Sequence, residues 1–451
     1  MSAALAPIAP LAISCAKNDT KKQEGAKSES SALNKDDFTL AKESFAKLTD
    51  DQKLQVLKDT KLGEVYSKDQ LYDIIAKFNK DVGSFGGIIW SIKSAEALIA
   101  KEAAYMNGIV AFDNLMKDQE NSEFVFNRDY NTLKQVNNVE ASKFVPVVFM
   151  DIDETVLQND LTEANAMING GFKNSNKEAE DLKARRFAVP GAVEFINHVQ
   201  SKGGLVIYNS DMNLSTEIRD TVKRNLERVG VKYVANFQFW MRGALPNTSD
   251  IDAEITKAAT ATKSQDELKA LAKRIHWNYQ AFNAKPWEPW NNSLSAQEIG
   301  KTVSKTDRMN GLDNNANGWN LHAEDNKSGE AVKMKTIMRV GDNFNDFFDN
   351  ASKGKTNDER TGLYKAQRTW MKDIFSVKGA MAHTYDKASN QFTTGDYKQA
   401  YIMVPGNAEY GGWNERLGYG NVKNFYDAIK QLVSNPRYES GPSATDNIVR
   451  R

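Results

Sequence analysis

Three short stretches of this sequence set acidic or hydroxyl side chains directly behind apolar runs. VPVVFMDIDETVLQND, residues 145–160, closes its apolar run with Asp151 and Asp153. LVIYNSD, residues 205–211, ends in Asn209, Ser210 and Asp211. KTIMRVGDNFND, residues 335–346, ends in Gly341, Asp342 and Asn343, with Asp346 shortly beyond. Taken singly, each has a plain structural explanation: a solvated turn for D-x-D, a turn for G-D-N, a helix cap for the serine. Taken together they gather the four carboxylates of Asp151, Asp153, Asp342 and Asp346, a hydroxyl and several loop amides. Carboxylate oxygens suit a hard cation such as Mg²⁺. A phosphoryl group in transfer needs its charge neutralised and its nucleophile in line. A carboxylate can attack phosphorus, and a second carboxyl can protonate the leaving oxygen and then activate water. In an extended strand, residues two apart share a face, so Asp151 and Asp153 are expected to reach one site.

Strands must position these groups. VPVVFM, LVIY, YVANFQFW, KTIMRV and AYIMVPG read as buried strands. Helices alternate with them. PGAVEFINHVQSKGG starts at Pro190 and stops at a glycine pair, and LSTEIRDTVKRNLERVG ends at Gly230. Alternation predicts an α/β fold, a doubly wound and mostly parallel Rossmann-type sheet, with ligands at the carboxyl ends of the strands. Segment 1–33 reads as a signal-like and polar linker stretch. Residues 34–140 read as helical, with DVGSFGG as a loop and a long amphipathic helix from Trp90. The first half of the sheet domain is expected at 141–246 and the second at 331–435. Residues 247–330, helical then loop-like and rich in tryptophan, read as an insertion; 436–451 reads as a tail.

The bulk numbers narrow the function. The chain has 451 residues, with Lys plus Arg and Asp plus Glu at 59 each. Zero net charge gives no bias toward a nucleic-acid polymer. No apolar run approaches the ~18 residues of a membrane span. Four histidines and one cysteine supply no zinc-type cluster. No G-x-x-x-x-G-K-[ST] occurs, which removes a P-loop nucleotidase.

DIDETVLQN followed by VGDNFNDF resembles the haloacid-dehalogenase (HAD) superfamily, and more narrowly the bacterial class C acid phosphatases, 5′-nucleotidase-type lipoproteins with a four-aspartate signature. WSIKSAEALIAKEAAYMNGIVAFD, VPGAVEFINHVQSKGGLVIYNS and PGNAEYGGW also resemble that family. The resemblance implies a HAD-like sheet domain with a helical cap, hydrolysing phosphomonoesters with Mg²⁺. It implies Asp151 as nucleophile, Asp153 as general acid/base, and a metal site from Asp151, Asp153 (by its carbonyl), Asp342 and Asp346. Ser210 and the adjacent Asn209 would hold phosphate. The family's K-x-x-R lysine is matched by Lys305 in SKTDR, with Arg242 in FWMRG as rival for that cationic role. The family's Asn-Arg after the serine is replaced here by Asp211 and Met212.

Nucleoside 5′-monophosphates are the implied substrates. Trp90, Tyr105, Trp240, Tyr410 and Trp413 are candidates to clamp a base, and Trp287, Trp290 and Trp319 could instead cover the pocket. Two alternatives stay open: a phosphatase for non-nucleotide small esters, and a surface-anchored binding protein of this fold with lost catalysis. MSAALAPIAPLAIS before Cys15, the sole cysteine, resembles the end of a lipoprotein signal peptide, although no basic residues precede it. This implies a lipid anchor in a bacterial cell envelope, in the periplasm or at the outer membrane. A homodimer is compatible with it.

Overall fold

The computed structural model describes residues 85–118, 125–126, 143–168, 173–246, 264–278, 287–290, 294–316, 318–321, 331–386 and 389–407. The signal-like segment, the helices expected before residue 85, the 436–451 tail, Tyr410 and Trp413 lie outside these residues.

Helices α1 (Phe85–Lys93) and α2 (Ala95–Asp118) open the described chain. Ser94 separates them: its hydroxyl accepts from the Ala97 amide at 3.0 Å, a helix N-cap. The expected single helix from Trp90 is thus two, and Gly86 and Gly87, expected in a loop, lie inside α1. Next come β1 (Val125–Phe126), β2 (Lys143–Met150), α3 (Asp160–Ile168), α4 (Asn174–Asp181), α5 (Ala192–Ser201) and β3 (Leu205–Tyr208). Then α6 (Thr216–Arg228) starts on the Ser215 hydroxyl, which accepts from the Ile218 amide at 3.1 Å. Strand β4 (Ala244–Pro246), α7 (Gln265–Asn278), β5 (Trp287–Pro289), α8 (Ala296–Thr302), α9 (Lys305–Asn314), β6 (Trp319–Asn320) and β7 (Ala331–Val332) follow. The described chain closes with β8 (Met334–Gly341), α10 (Asn345–Ser352), α11 (Asn357–Ala366), α12 (Arg368–Ile374), β9 (Ala380–Asp386) and β10 (Gln391–Met403).

Strands β1, β3 and β8 each pair parallel with β2. Strand β10 pairs parallel with β8 and antiparallel with β9. The sheet is therefore mixed and mostly parallel, as α/β alternation predicts. Val147, Val148, Phe149 and Met150 of β2 are all buried, so both faces of the central strand are covered. Helix α2 packs on β10 and α5, and α9 packs on β8 and α10. Met150 lies in register with Tyr208 and with Val340, and Gly341 with Met403. Four parallel strands thus end at one edge, where the acidic residues follow.

YVANFQFW is not a strand. It forms a 3₁₀ turn, Asn236–Gln238, with one parallel bridge from Phe239 to Tyr208. The Gln238 side chain explains this. Its amide donates to the Val206 carbonyl at 2.8 Å and accepts from the Ala235 amide at 2.6 Å, taking over contacts a strand backbone would make. Trp287 and Trp319 do not cover a pocket. Their rings meet Trp240 with centroids at 5.0 and 5.1 Å, and all three are fully buried. Among the described residues, no helix is long and apolar enough to cross a membrane.

Candidate active site

The Asp151 amide donates to the Val340 carbonyl at 3.0 Å, and the Asn209 amide to the Met150 carbonyl at 2.8 Å. These bonds fix the ends of β2, β3 and β8 side by side. After Asp151 the chain stops being extended. Val156 and Leu157 both donate to the Ile152 carbonyl at 2.9 Å, and Glu154 takes a positive φ of 57°. Asp151 and Asp153 therefore sit on a tight turn, and the shared face of a strand is not what places them.

The Lys305 ammonium stands 2.7 Å from Asp151 Oδ1 and 2.7 Å from Asp346 Oδ1. The lysine comes from the first residue of α9, whose N-terminus is held three ways. Ser304 and Asp307 form a reciprocal capping box. Asp349 of α10 accepts from the Lys305 and Thr306 amides at 2.8 and 2.9 Å. Asn209 donates to the Lys305 carbonyl at 3.1 Å. Arg308, one turn on and buried, donates to Asn209 Oδ1 at 2.7 Å and to the Ser210 carbonyl at 3.1 Å. The K-x-x-R pair thus reaches both the nucleophile candidate and the second strand end.

Arg242 goes elsewhere. Its Nε donates to Asn213 Oδ1 at 2.9 Å, and its backbone pairs with Met212 and Leu214. Of the two rival cations, Lys305 is the one beside Asp151. Ser210 is buried, with its hydroxyl accepting from the Met212 amide at 3.2 Å. Asp211 does not leave an uncompensated anion: Lys353 lies 3.2 Å and Arg308 3.7 Å from its carboxylate.

Asp151, Asp342 and Asp346 each offer an oxygen within 4.8 Å of the others, a grouping able to hold a cation. Thr155 donates to Asp342 Oδ1 at 3.2 Å, and the Asn343 amide to Asp346 Oδ2 at 2.9 Å. Burial raises the pKa of all three carboxyls. Lys305 opposes the rise at Asp151 and Asp346, while Asp346 and Asp151 add to it at Asp342. Three crowded carboxylates, those of Asp151 and Asp346 buried and that of Asp342 half-buried, fit as all-oxygen donors a hard divalent ion that would neutralise them. Asp153 differs. Burial would raise it, but Lys177 and Arg186 outweigh that and hold it well below the usual carboxylate range.

Two clamp candidates are not free to stack on a substrate. Tyr105 is 1% exposed, and its hydroxyl donates to the Thr155 carbonyl. Trp240 is core, as described above. Trp90 lies on α1, 42% exposed. The sequence reading singled out neither Lys177, Arg186 nor Asp349. Charged residues in polar segments carry no local signal that separates them from surface.

Residues 90–279 match the family described as HAD superfamily, subfamily IIIB (acid phosphatase). The matched region is similar to that family. It includes the β2 and β3 ends but stops before Lys305, Asp342 and Asp346, so their inclusion in the site rests on the distances above. The enzyme is accordingly a phosphoric monoester hydrolase of the acid phosphatase type. No curated protein matches the chain. Among solved structures it is similar to the class C acid phosphatase from Bacillus anthracis, at 16% identity and a TM-score of 0.40, covering 77% of this chain and 95% of that one. The tungstate-bound form of a Bacillus anthracis class C acid phosphatase gives 15% identity and 0.40, covering 80% and 97%.

Proposed function

We propose that the protein is a Mg²⁺-dependent acid phosphatase of the class C type that hydrolyses phosphomonoesters through an aspartyl-phosphate on Asp151. The observation that carries this is the Lys305 ammonium at 2.7 Å from Asp151 in a group of three aspartates, two buried and one half-buried. In this reading Asp151, the Asp153 carbonyl, Asp342 and Asp346 would hold Mg²⁺. The ion, when bound, would neutralise phosphate and carboxylate charge. Asp151 attacks phosphorus, and the bond from phosphorus to the leaving oxygen breaks as Asp153, which must first take up a proton from solvent against the pull of Lys177 and Arg186, gives that oxygen a proton. Water then attacks the phosphorus, Asp153 takes its proton, and the bond to Asp151 breaks to release inorganic phosphate. Lys305 opposes the burial-driven protonation of Asp151 and faces the phosphoryl oxygens. Ser210, Asn209 and the loop amides orient the phosphate.

Nucleoside 5′-monophosphates are the proposed substrates. The burial of Tyr105 and Trp240 removes two rings from any base clamp and favours, as second reading, small non-nucleotide esters. Turnover of p-nitrophenyl phosphate at about pH 5–6 should stop with EDTA and return with added Mg²⁺. Activity that EDTA leaves untouched would sink the metal reading. A panel of 5′-nucleotides against sugar phosphates decides between the two substrate readings. For location we propose a lipid anchor at Cys15 in the cell envelope, which radiolabelled-palmitate incorporation lost in Cys15→Ser would support. Sedimentation of the purified protein would decide the proposed homodimer.

A further inference from the structure

Helix α10 takes hold of Lys305 at both ends of the residue. At the side-chain end, Asp346 in the first turn of α10 accepts from the ammonium at 2.7 Å. At the backbone end, Asp349 accepts from the Lys305 amide through Oδ2 at 2.8 Å and from the Thr306 amide through Oδ1 at 2.9 Å. The Thr306 hydroxyl donates to the same Oδ1. The capping box of α9 serves the amides of Ser304 and Asp307, and it leaves those of Lys305 and Thr306 to Asp349. Asp349 is buried. A buried carboxylate is costly unless its oxygens are met, and here two amides at a helix N-terminus and a hydroxyl meet both of them.

The backbone that presents Asp349 is itself specialised. Helix α10 departs from helical geometry at Phe348, immediately before Asp349, with φ −144° and ψ 44°. Two side chains hold the break. Buried Arg339 of β8 donates to the Phe347 carbonyl at 2.8 Å, and the Ser352 hydroxyl donates to the Phe348 carbonyl at 2.8 Å. The break is thereby anchored to the strand whose end delivers Asp342. A lysine carries its ammonium on a flexible four-carbon stem. Its charge can stand at one point only if the backbone beneath it is fixed, and small misplacements of a charge facing the reacting group are expensive in rate. Asp349 fixes the Lys305 backbone at its amide, and Asn209 fixes it at its carbonyl.

We propose that Asp349 is a positioning residue for Lys305: by fixing the lysine backbone it sets where the ammonium meets Asp151 and the phosphoryl oxygens. The inference rests on the phosphatase reading above. A double-mutant cycle tests it, with kcat/KM on p-nitrophenyl phosphate measured for wild type, Asp349→Asn, Lys305→Met and the double variant. Asparagine turns an NH₂ group toward an amide that needs an acceptor. Asp349→Asn is expected to lower kcat/KM about tenfold where Lys305 is present, and less than about twofold in the Lys305→Met background. A residue that only supported the fold would cost the same in both backgrounds. Denaturant midpoints check that each variant is folded. Should Asp349→Asn not fold, Thr306→Val, which loses the hydroxyl bond to Asp349, gives the same comparison, with a loss of about threefold confined to protein that retains Lys305. Equal losses in the two backgrounds, or full activity in Asp349→Asn, would overturn the positioning role while leaving the phosphatase reading intact. Wild-type protein that does not turn over p-nitrophenyl phosphate would overturn both.

Discussion

Lys305 is the residue on which the site closes, because it is the cation that touches both Asp151 and Asp346. Burial would favour a neutral amine, but Asp151, Asp346 and Asp211 outweigh it and keep the ammonium charged. Lys305→Met is expected to lower kcat/KM on p-nitrophenyl phosphate by about 10²–10³. Arg242→Met, which loses a bond to Asn213, is expected to cost less than about threefold. The reverse order would return the cationic role to Arg242. His276 gives a pH dependence of stability. Burial lowers its pKa from 6.5 to about 4, so folding favours the neutral ring. That contribution is present above about pH 6.5 and is lost as pH falls toward 4. Denaturant midpoints should show wild type losing about 1–3 kcal/mol more than His276→Gln across that window. Parallel curves would contradict it.

Elements deliver these residues, and their close approaches can be tested. Gly341 ends β8, and a Cβ there would collide with the Asp346 side chain. Gly341→Ala is expected to displace Asp346 and raise the Mg²⁺ concentration needed for half-maximal activity at least tenfold. An unchanged metal requirement would remove Asp346 from the site. The strand ends were legible in the sequence because a short apolar run followed by Asp, Asn or Gly signals both burial and a turn. Asp151, Ser210 and Asp342 could be placed that way. Two things could not be. The D-x-D pair is set by a reversal at Glu154, a backbone event that residue types do not encode. YVANFQFW has a strand's composition, yet the Gln238 side chain replaces its backbone pairing. Strand β9, paired to β10 in a hairpin, left no alternation strong enough to be read.

At the scale of the described molecule, aromatic packing ties the segment expected to be an insertion to Trp240. Trp240 follows β3, whereas Trp287 and Trp319 come from the segment between the two halves of the sheet, and their rings form one buried cluster. Trp287→Ala is expected to destabilise the fold by about 3–5 kcal/mol in chemical denaturation. A change below about 1 kcal/mol would mean that the insertion contributes little to this core. The equal numbers of basic and acidic residues, 59 each, leave substrate attraction to the local charges at the strand ends. The claim uniting these scales is that Asp151 becomes phosphorylated. Enzyme quenched in acid during turnover of p-nitrophenyl phosphate with Mg²⁺, then digested and weighed by mass spectrometry, tests it most directly. The peptide holding Asp151 is expected to carry one phosphoryl group, absent from Asp151→Asn. A phosphoryl group on another residue, or an Asp151→Asn protein that still turns over at the wild-type rate, would contradict it.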